Sequence, residues 1–462
     1  MAPPLSSQVM PMGEPPAARE LFTVSRPRTR DVHLLSAGER RHLLVVDGSR
    51  LFDVDEEAFA ALDAAAEAGD DAAVQRLLEA LGVDAPPFVR DEPLASAEVT
   101  AISLAVAQKC NLGCTYCYAQ EGDFGGRAKN MPLEVALRSV DLLLASKAPG
   151  SRANLAFLGG EPLANRDVLR AATRYAAEQA RARGVQLTFS ITTNGTLLTP
   201  EDGEFFEQYG FAVTVSLDGP REAHNRLRPF KGGRGSYDTV MAAVRPLLSS
   251  QRRMQVSARV TVTPRNLQLR EALDEMVALG FHGVGFSPML RSPTGKDEMQ
   301  AEDLEAMLQQ MVDCGREFEQ RVLAGERYPF TNIVNALREI HKGTHRPYPC
   351  GAGAGYVGIS ADGDVAACHR FVGDKEGQLG HADTGVDPTL QGRWLAERHV
   401  HVQQPCNRCW ARYMCSGGCH HEVIHRGRPA CNYIRGWLHY CLDAYLRLSR
   451  AKPEWFGIVA GV

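Results

Sequence analysis

Three cysteines lie within nine residues of one another in the stretch "KCNLGCTYCY", residues 109–118. Cys110, Cys114 and Cys117 form a C-x3-C-x2-C run directly after an apolar stretch. Three thiolates are one ligand short of a tetrahedral zinc site, and one short of the set that a [4Fe-4S] cube normally takes. The run therefore indicates either a zinc site completed by a remote Cys or His, or an iron-sulfur cluster with one open iron.

Three polar loops follow the cysteine run along the chain: "LGGEPL", "TTNGTLL" and "VSLDGP". Gly159 and Gly160 lack side chains, so the backbone can approach a ligand, and the Glu161 carboxylate suits an ammonium group. The other two loops offer hydroxyl and amide partners for a ribose or a carboxylate from Thr193, Asn194 and Ser216. Each loop alone is a weak signal, because such turns are common at strand ends.

A second group of eight cysteines lies between Cys350 and Cys441, while Cys314 stands alone in a helical stretch. In a reducing compartment this clustering favours metal or cluster ligation over disulfides, and eight thiols suit two four-ligand sites or a zinc ribbon. We expect Cys314 to be a small buried apolar residue. Three histidines lie close in sequence to the second group: His369, His420 and His421. We expect them to be polar surface residues or residues that hydrogen-bond to the metal ligands.

The secondary structure pattern explains how the loops are brought together. From Val99 onward six strand-like stretches alternate with amphipathic helical stretches, which predicts a parallel sheet and a partial (β/α)6 barrel. The cysteine run and the three loops follow the first four strands in turn. Because chemistry gathers at the carboxyl ends of barrel strands, we expect all four to meet at one mouth.

The chain is long enough for several domains at 462 residues. We expect a disordered tail over 1–30, a small α+β domain over 31–95, the barrel over 96–330, and a Cys-rich domain with a closing helix over 331–462. The net charge of -4 gives no basic footprint for nucleic acid, and no apolar run is long enough to span a membrane. The first thirty residues lack a secretory signal, so we expect a cytoplasmic protein.

From Val99 to Leu290 these motifs resemble the radical S-adenosylmethionine enzymes. In that family an open iron binds the amino and carboxylate groups of S-adenosylmethionine, so the resemblance implies that Cys110, Cys114 and Cys117 hold a [4Fe-4S] cluster. The same resemblance implies that the cofactor is contacted by Tyr116, Gly159, Gly160, Glu161, Thr193, Asn194, Ser216 and Arg259. Tyr116 and Tyr118 are equally consistent with ordinary core aromatics.

The C-terminal cysteines resemble the SPASM extension of that family, which carries two auxiliary [4Fe-4S] clusters. This resemblance implies that Cys350, Cys368 and Cys419 ligate the first auxiliary cluster. It implies a second ligand set of Cys406, Cys409, Cys415 and Cys431. Cys441 departs from the pattern, so it either completes the first auxiliary site or is a buried helix cysteine while that site stays open to a substrate thiolate.

SPASM enzymes modify peptides, and these segments are most similar to the thioether-forming maturases. The resemblance implies a Cys-rich polypeptide substrate whose cysteine sulfurs are joined to Asp or Glu methylene carbons. It also implies an electron donor such as a flavodoxin or ferredoxin. The region from Asp31 to Gly82 resembles a winged-helix-like leader-binding domain, with a structural cap as the alternative. The motifs are also consistent with a carbon-carbon crosslinker, with an enzyme that oxidises a Cys or Ser of another protein, and with a non-catalytic zinc or iron-sulfur scaffold.

Overall fold

The computed structural model describes residues 17–37, 40–84 and 89–457. Its strands are β1 (Val32–Ala37), β2 (Arg40–Val45), β3 (Arg50–Val54), β4 (Ala101–Gln108), β5 (Lys129–Asn130), β6 (Arg152–Gly159), β7 (Gln186–Thr193), β8 (Ala212–Ser216), β9 (Gln255–Val262), β10 (Gly283–Pro288), β11 (Tyr356–Ile359), β12 (Asp364–Ala366), β13 (Gln378–His381) and β14 (Gly385–Val386).

The helices are α1 (Ala18–Val24), α2 (Glu56–Glu67), α3 (Asp71–Leu81), α4 (Leu133–Leu144), α5 (Arg166–Arg183), α6 (Pro200–Tyr209), α7 (Arg221–Leu227), α8 (Tyr237–Ser250), α9 (Leu269–Ala278), α10 (Ala301–Leu323), α11 (Thr331–His341), α12 (Pro388–Arg398), α13 (Arg412–Cys415), α14 (His420–Arg426) and α15 (Cys431–Ala451). Within the described ranges, none of these helices is long and apolar enough to cross a membrane.

Six parallel strands form the centre of the molecule, in the order β10-β9-β8-β7-β6-β4. This confirms the predicted α/β fold and all six predicted strands. β4 is buried along almost its whole length, as expected of a parallel strand covered on both faces. β9 instead alternates, and its side chains at Ser257, Arg259 and Thr261 remain partly or fully accessible. Because they share one face of β9, these three polar side chains lie together on a solvent-accessible face of the sheet.

The Cys-rich C-terminal region continues this sheet. β11 pairs in parallel with β4, from Tyr356 opposite Ala101 to Ile359 opposite Leu104. β12, β13 and β14 then add in antiparallel order. The strand that leads into Cys110 therefore has a barrel strand on one side and the first C-terminal strand on the other.

The N-terminal region forms its own antiparallel sheet, β1-β2-β3, followed by α2 and α3. The stretch "RHLLVVDGSRLFDV" forms two strands separated by a turn. A small apolar core holds this unit together, formed by Val32, Leu34, Leu43, Val45, Leu62, Val74 and Leu78. Its role in binding a leader peptide stays a prediction.

The predicted disordered tail over 1–30 is wrong for its second half, while residues 1–16 lie outside the described ranges. α1 is ordered because Leu21 is fully buried and the helix packs on α10 and α15. The backbone N–H of Ala18 also donates to Gln309 Oε1 at 3.0 Å. The Pro-rich composition of the segment gives no indication of these contacts with distant helices.

The closing helix α15, predicted from its periodicity, packs along α10 through a buried ionic group. Glu319 of α10 is fully buried and accepts hydrogen bonds from Tyr440 Oη at 2.6 Å and from Arg447 Nε at 2.9 Å. Cys314, on the same helix, is fully buried, as predicted. Because a buried charge needs its partners, this group fixes the register of the two helices.

Replacing Glu319 with Ala should lower the free energy of unfolding by about 2 kcal/mol, since Arg447 and the Tyr440 hydroxyl would lose their partner. The Arg447 side chain is 30% exposed, so the cost stays below that of a fully buried pair. Urea denaturation followed by circular dichroism measures the change. Glu326→Ala removes an exposed ion pair with Arg321 and serves as the matched control, with a change below about 0.5 kcal/mol. An equal effect of the two variants would contradict the assigned role of Glu319.

Candidate metal-cluster site and the cysteine groups around it

The three cysteines of the run converge at the carboxyl end of β4. The charges of Cys110, Cys114 and Cys117 are close enough to interact, and burial raises the pKa of all three thiols, that of Cys114 to about 12. The backbone N–H of Leu112 donates to Cys110 Sγ at 3.4 Å, and Asn194 Nδ2 lies 3.5 Å from the same sulfur. A metal-bound thiol is held as thiolate, so these donors suit a ligated sulfur.

The chain after Cys117 folds back around the cysteines. Gln120, Glu121 and Gly122 have positive φ angles of 49°, 63° and 99°. This turn directs the backbone N–H groups of Ala119, Glu121 and Gly122 at the Cys117 thiol, which lowers its pKa against the effect of burial. Successive N–H groups in such a turn form a concave site for a negative group.

The "GGEP" loop packs against this turn. A Cβ on Gly160 would lie 2.4 Å from the Lys109 carbonyl oxygen and 2.7 Å from the Cα of Gly122. Similarly, a Cβ on Gly159 would lie 2.4 Å from the Ala107 carbonyl oxygen. The two glycines therefore allow backbone to approach backbone, whereas the sequence suggested approach to a ligand.

Glu161 is fully buried at the N-terminal end of a short 3-10 helix. Its carboxylate accepts hydrogen bonds from Thr193 Oγ1 at 2.7 Å, from the Asn194 backbone N–H at 2.7 Å and from the Leu163 backbone N–H at 3.0 Å. Burial raises its pKa, while these three donors lower it. The carboxylate is thus fixed in position between β6 and β7, with acceptor capacity left for a further donor.

Tyr116 lies behind Cys114 in a buried polar group that the sequence did not reveal. Its hydroxyl donates to Asp218 of the "SLDG" loop and accepts from Arg228 Nη1 at 2.7 Å, and Arg228 lies 3.9 Å from the Asp218 carboxylate. Burial raises the pKa of Tyr116 well above its usual value. The Asp218 carboxylate also accepts from the Thr261 backbone N–H at 2.9 Å. Tyr116 therefore links barrel strands, and its predicted contact with the cofactor stays a prediction.

Ser216 and Arg259 face each other on the neighbouring strands β8 and β9. Within the described part of the chain, the Arg259 guanidinium makes no hydrogen bond, although it interacts electrostatically with Tyr118, Glu422 and Cys419. Both side chains remain accessible to solvent. They are thus free to contact a polar ligand.

Tyr118 and Arg370 join the barrel cysteines to the C-terminal ones. Tyr118 interacts electrostatically with both Cys117 and Cys368, and the Arg370 guanidinium lies 5.6 Å from its ring centroid. Arg370 Nη1 is 2.7 Å from Glu422 Oε1 and 3.7 Å from Cys419 Sγ. Arg370 and Glu422 were not predicted as site residues, because only the fold brings them between the two groups. Tyr118 and Arg370 therefore lie between the two cysteine groups.

The C-terminal cysteines fall into two groups in space. Cys350, Cys368 and Cys419 interact with one another. The second group lines a cavity of about 240 Å³. Its members are Cys406, Cys409, Cys415 and Cys431. Arg428 and Arg435 line the same cavity and lower the pKa of Cys406 against the effect of burial. A roomy cavity with thiols and balancing cations fits an iron-sulfur cluster, although cluster binding by either group stays a prediction.

The structure places Cys441 away from both groups. It is fully buried in α15, and its charged neighbour is Glu319, which raises its pKa together with burial. Of the two alternatives that the sequence left open, this position favours a buried helix cysteine. The first C-terminal group then contains three cysteines.

Residues 104–277 match the family model of the Radical SAM superfamily. The serine-type anaerobic sulfatase-maturating enzyme of Klebsiella aerogenes is 25% identical over 365 residues, covering 74% of this chain and 85% of that enzyme. The matched family segment contains the cysteine run and all three polar loops.

Two solved structures show the same fold. Native anSMEcpe with bound AdoMet has a TM-score of 0.63 at 19% identity, covering 77% of this chain and 99% of that one. Streptococcus suis SuiB bound to its precursor peptide SuiA has a TM-score of 0.53 at 15% identity, covering 87% of this chain and 97% of that one. The radical SAM α/β fold with a Cys-rich C-terminal region is therefore confirmed.

Replacing Cys441 with Ala should leave the iron content of the anaerobically reconstituted protein unchanged, because Cys441 lies outside both cysteine groups. Cys419→Ala, the matched variant, should lose the iron of one site. Iron and sulfide are measured by inductively coupled plasma mass spectrometry and a colorimetric assay. If Cys441→Ala lost as much iron as Cys419→Ala, the placement of Cys441 outside the first C-terminal group would be wrong.

Proposed function

We propose that this chain, which carries a radical SAM domain, is a peptide-modifying enzyme that joins cysteine sulfurs to methylene carbons in a Cys-rich polypeptide. The observation that carries the proposal is the proximity of the barrel cysteines to the group of Cys350, Cys368 and Cys419, with Tyr118 and Arg370 between them. A thioether requires a hydrogen atom to be removed from carbon and a thiol to be held beside that carbon. Two candidate metal sites that lie this close together support both tasks.

Different residues at the barrel mouth would bind different parts of the cofactor. Cys110, Cys114 and Cys117 would ligate a [4Fe-4S] cluster whose open iron takes S-adenosylmethionine. The fixed Glu161 carboxylate suits the amino group of that cofactor, and the accessible Ser216 and Arg259 suit its carboxylate. When bound, the barrel cluster and S-adenosylmethionine supply a hydrogen-abstracting 5'-deoxyadenosyl radical, and an auxiliary cluster can accept the electron released as the C–S bond closes.

The chain's own residues would orient the substrate and keep water out. A cluster held by Cys350, Cys368 and Cys419 alone would leave a position for a substrate thiol, whose sulfur would be held as thiolate there. Arg370 lies at this group and would offset the added negative charge. The buried strand β4, which ends just before Cys110, would limit solvent at the cysteine run.

The substrate we propose is the small Cys-rich subunit of quinohaemoprotein amine dehydrogenase, because the C-terminal motifs resemble those of the maturase that crosslinks it. SuiB binds a precursor peptide and aligns with 87% of this chain, which supports a peptide partner. The sheet β1-β2-β3 could accept the leader as an added strand. A flavodoxin or ferredoxin would supply the electron.

A second candidate function is supported by similarity to the sulfatase-maturating enzyme of Klebsiella aerogenes over 74% of the chain. In this alternative the enzyme oxidises a Ser or Cys of another protein. The two candidates differ in the fate of sulfur. A thioether keeps each cysteine sulfur in the product, whereas oxidation of Cys to an aldehyde removes it.

Co-expression with the small subunit should yield a product that has lost two hydrogen atoms per crosslink, because each C–S bond replaces one C–H and one S–H bond. The bridged cysteines should resist iodoacetamide after reduction. Intact-mass and tandem mass spectrometry measure both results. If the cysteines alkylate freely after reduction, the thioether proposal fails. Loss of sulfur from a cysteine, or an aldehyde at a serine, would support the second candidate.

Cys114→Ala should abolish formation of 5'-deoxyadenosine from S-adenosylmethionine and dithionite while iron stays bound at the C-terminal groups. Cys406→Ala, in the cavity-lining group, should retain part of this cleavage and lose crosslinking. Liquid chromatography of 5'-deoxyadenosine and mass spectrometry of the peptide separate the two activities. Full cleavage by Cys114→Ala would overturn the barrel assignment, and equal loss of both activities in Cys406→Ala would assign that group a purely structural role.

A further inference from the structure

A cluster of two histidines and one carboxylate lies outside the three cysteine groups. His421 and His425 are four residues apart on α14, so they lie on one face of that helix. Asp374 reaches them from the turn after the 3-10 helix His369–Phe371. One ligand atom from each of the three side chains lies within 4.8 Å of the others. We define these three residues as the HHD cluster.

The side chains of the HHD cluster are held in position by their surroundings. Asp374 Oδ1 accepts from the Glu376 backbone N–H at 3.0 Å, which leaves Oδ2 directed at His425 Nε2, 2.7 Å away. The two imidazole rings are 4.6 Å apart, and the Phe371 ring packs 5.0 Å from His421. In the part of the chain that the structure describes, His421 Nδ1 is buried without a hydrogen-bond partner.

We propose that the HHD cluster binds a divalent transition-metal ion, separate from the iron-sulfur clusters. Two imidazoles and one carboxylate are the ligands that zinc and iron(II) take in three-residue protein sites. The ligand atoms of a tetrahedral zinc ion lie roughly 3.4 Å apart, as follows from zinc–ligand bonds of about 2.1 Å. Small rotations of the three side chains therefore suffice to close the site around an ion.

The charges around the HHD cluster permit a cation. The two arginines nearest to His421 each have an acidic partner, since Arg370 pairs with Glu422 at 2.7 Å and Arg291 with Glu298 at 3.3 Å. Asp374 supplies a negative charge directly at the site. The Asp374 and His425 side chains are 24% and 30% exposed, so an ion can enter from solvent.

The position of the HHD cluster indicates a structural role for the ion. Asp374 lies six residues after Cys368, and His421 lies two residues after Cys419, which is the N-cap of α14. An ion bound by both segments ties together two of the three cysteines of the first C-terminal group. The ion would thereby keep Cys368 and Cys419 in position when the end of α14 unfolds transiently. This role does not depend on which bond the enzyme forms.

The experiment uses the anaerobically reconstituted protein with its iron and sulfide quantified, so that the cysteine groups are occupied. The protein is dialysed against Zn²⁺, and retained zinc is measured by inductively coupled plasma mass spectrometry. We expect the wild-type protein to retain one zinc ion per chain in addition to its iron. The double variant His421→Gln, His425→Gln should lose this zinc ion. His381→Gln, which changes an exposed histidine beside Asp383, is the matched control and should keep the zinc.

X-ray absorption at the zinc edge identifies the ligands independently. The expected spectrum has nitrogen and oxygen neighbours, including two imidazoles, and no sulfur neighbour. Should the double variant fail to hold its iron, Asp374→Asn replaces it, with the same expected loss of zinc. Absence of retained zinc in the wild type, zinc retained equally by the ligand variants, or sulfur in its coordination shell would each overturn the proposal.

Discussion

The pairing of β4 on both of its edges is the constraint on which the rest of the site depends. β6 pairs with one edge and carries the loop of Glu161, while β11 pairs with the other and leads to Cys368. β4 itself ends just before Cys110. Because strands in a sheet lie about 4.8 Å apart, these two pairings fix the three segments that carry candidate site residues side by side.

The barrel mouth depends on close backbone packing as much as on its polar side chains. Gly160 and Gly122 allow the "GGEP" loop and the cysteine turn to touch, which brings N–H groups to the thiols and seats the Glu161 carboxylate. The Tyr116, Asp218 and Arg228 group then ties β8 and β9 to the back of the cysteine turn. Intramolecular hydrogen bonds, both neutral and charged, thus hold the three cysteines and the Glu161 carboxylate in position.

The sequence predicted the parallel barrel well because its strands and helices have strong periodic patterns. The helix α1 in the N-terminal tail was harder to predict from the sequence. It is stabilised by burial of Leu21 against distant helices, which the local sequence does not indicate. Arg370 and Glu422 could not be predicted either, since a charged pair carries no pattern until the fold brings it beside Cys419. The position of Cys441 likewise depends on the pairing of α10 with α15.

Positive side chains accompany every cysteine group and partly offset the effect of burial on the thiols. Burial alone raises the thiol pKa and favours the neutral form, which does not bind metal. Burial raises the pKa of Cys114, Cys368 and Cys406, and Arg228, Arg370 and Arg428 respectively offset part of that rise. Each arginine reduces the cost of collecting several thiolates in one place. Since charge and hydrogen bonds around the sulfurs set cluster potentials, the same arginines would also tune how readily each site accepts an electron.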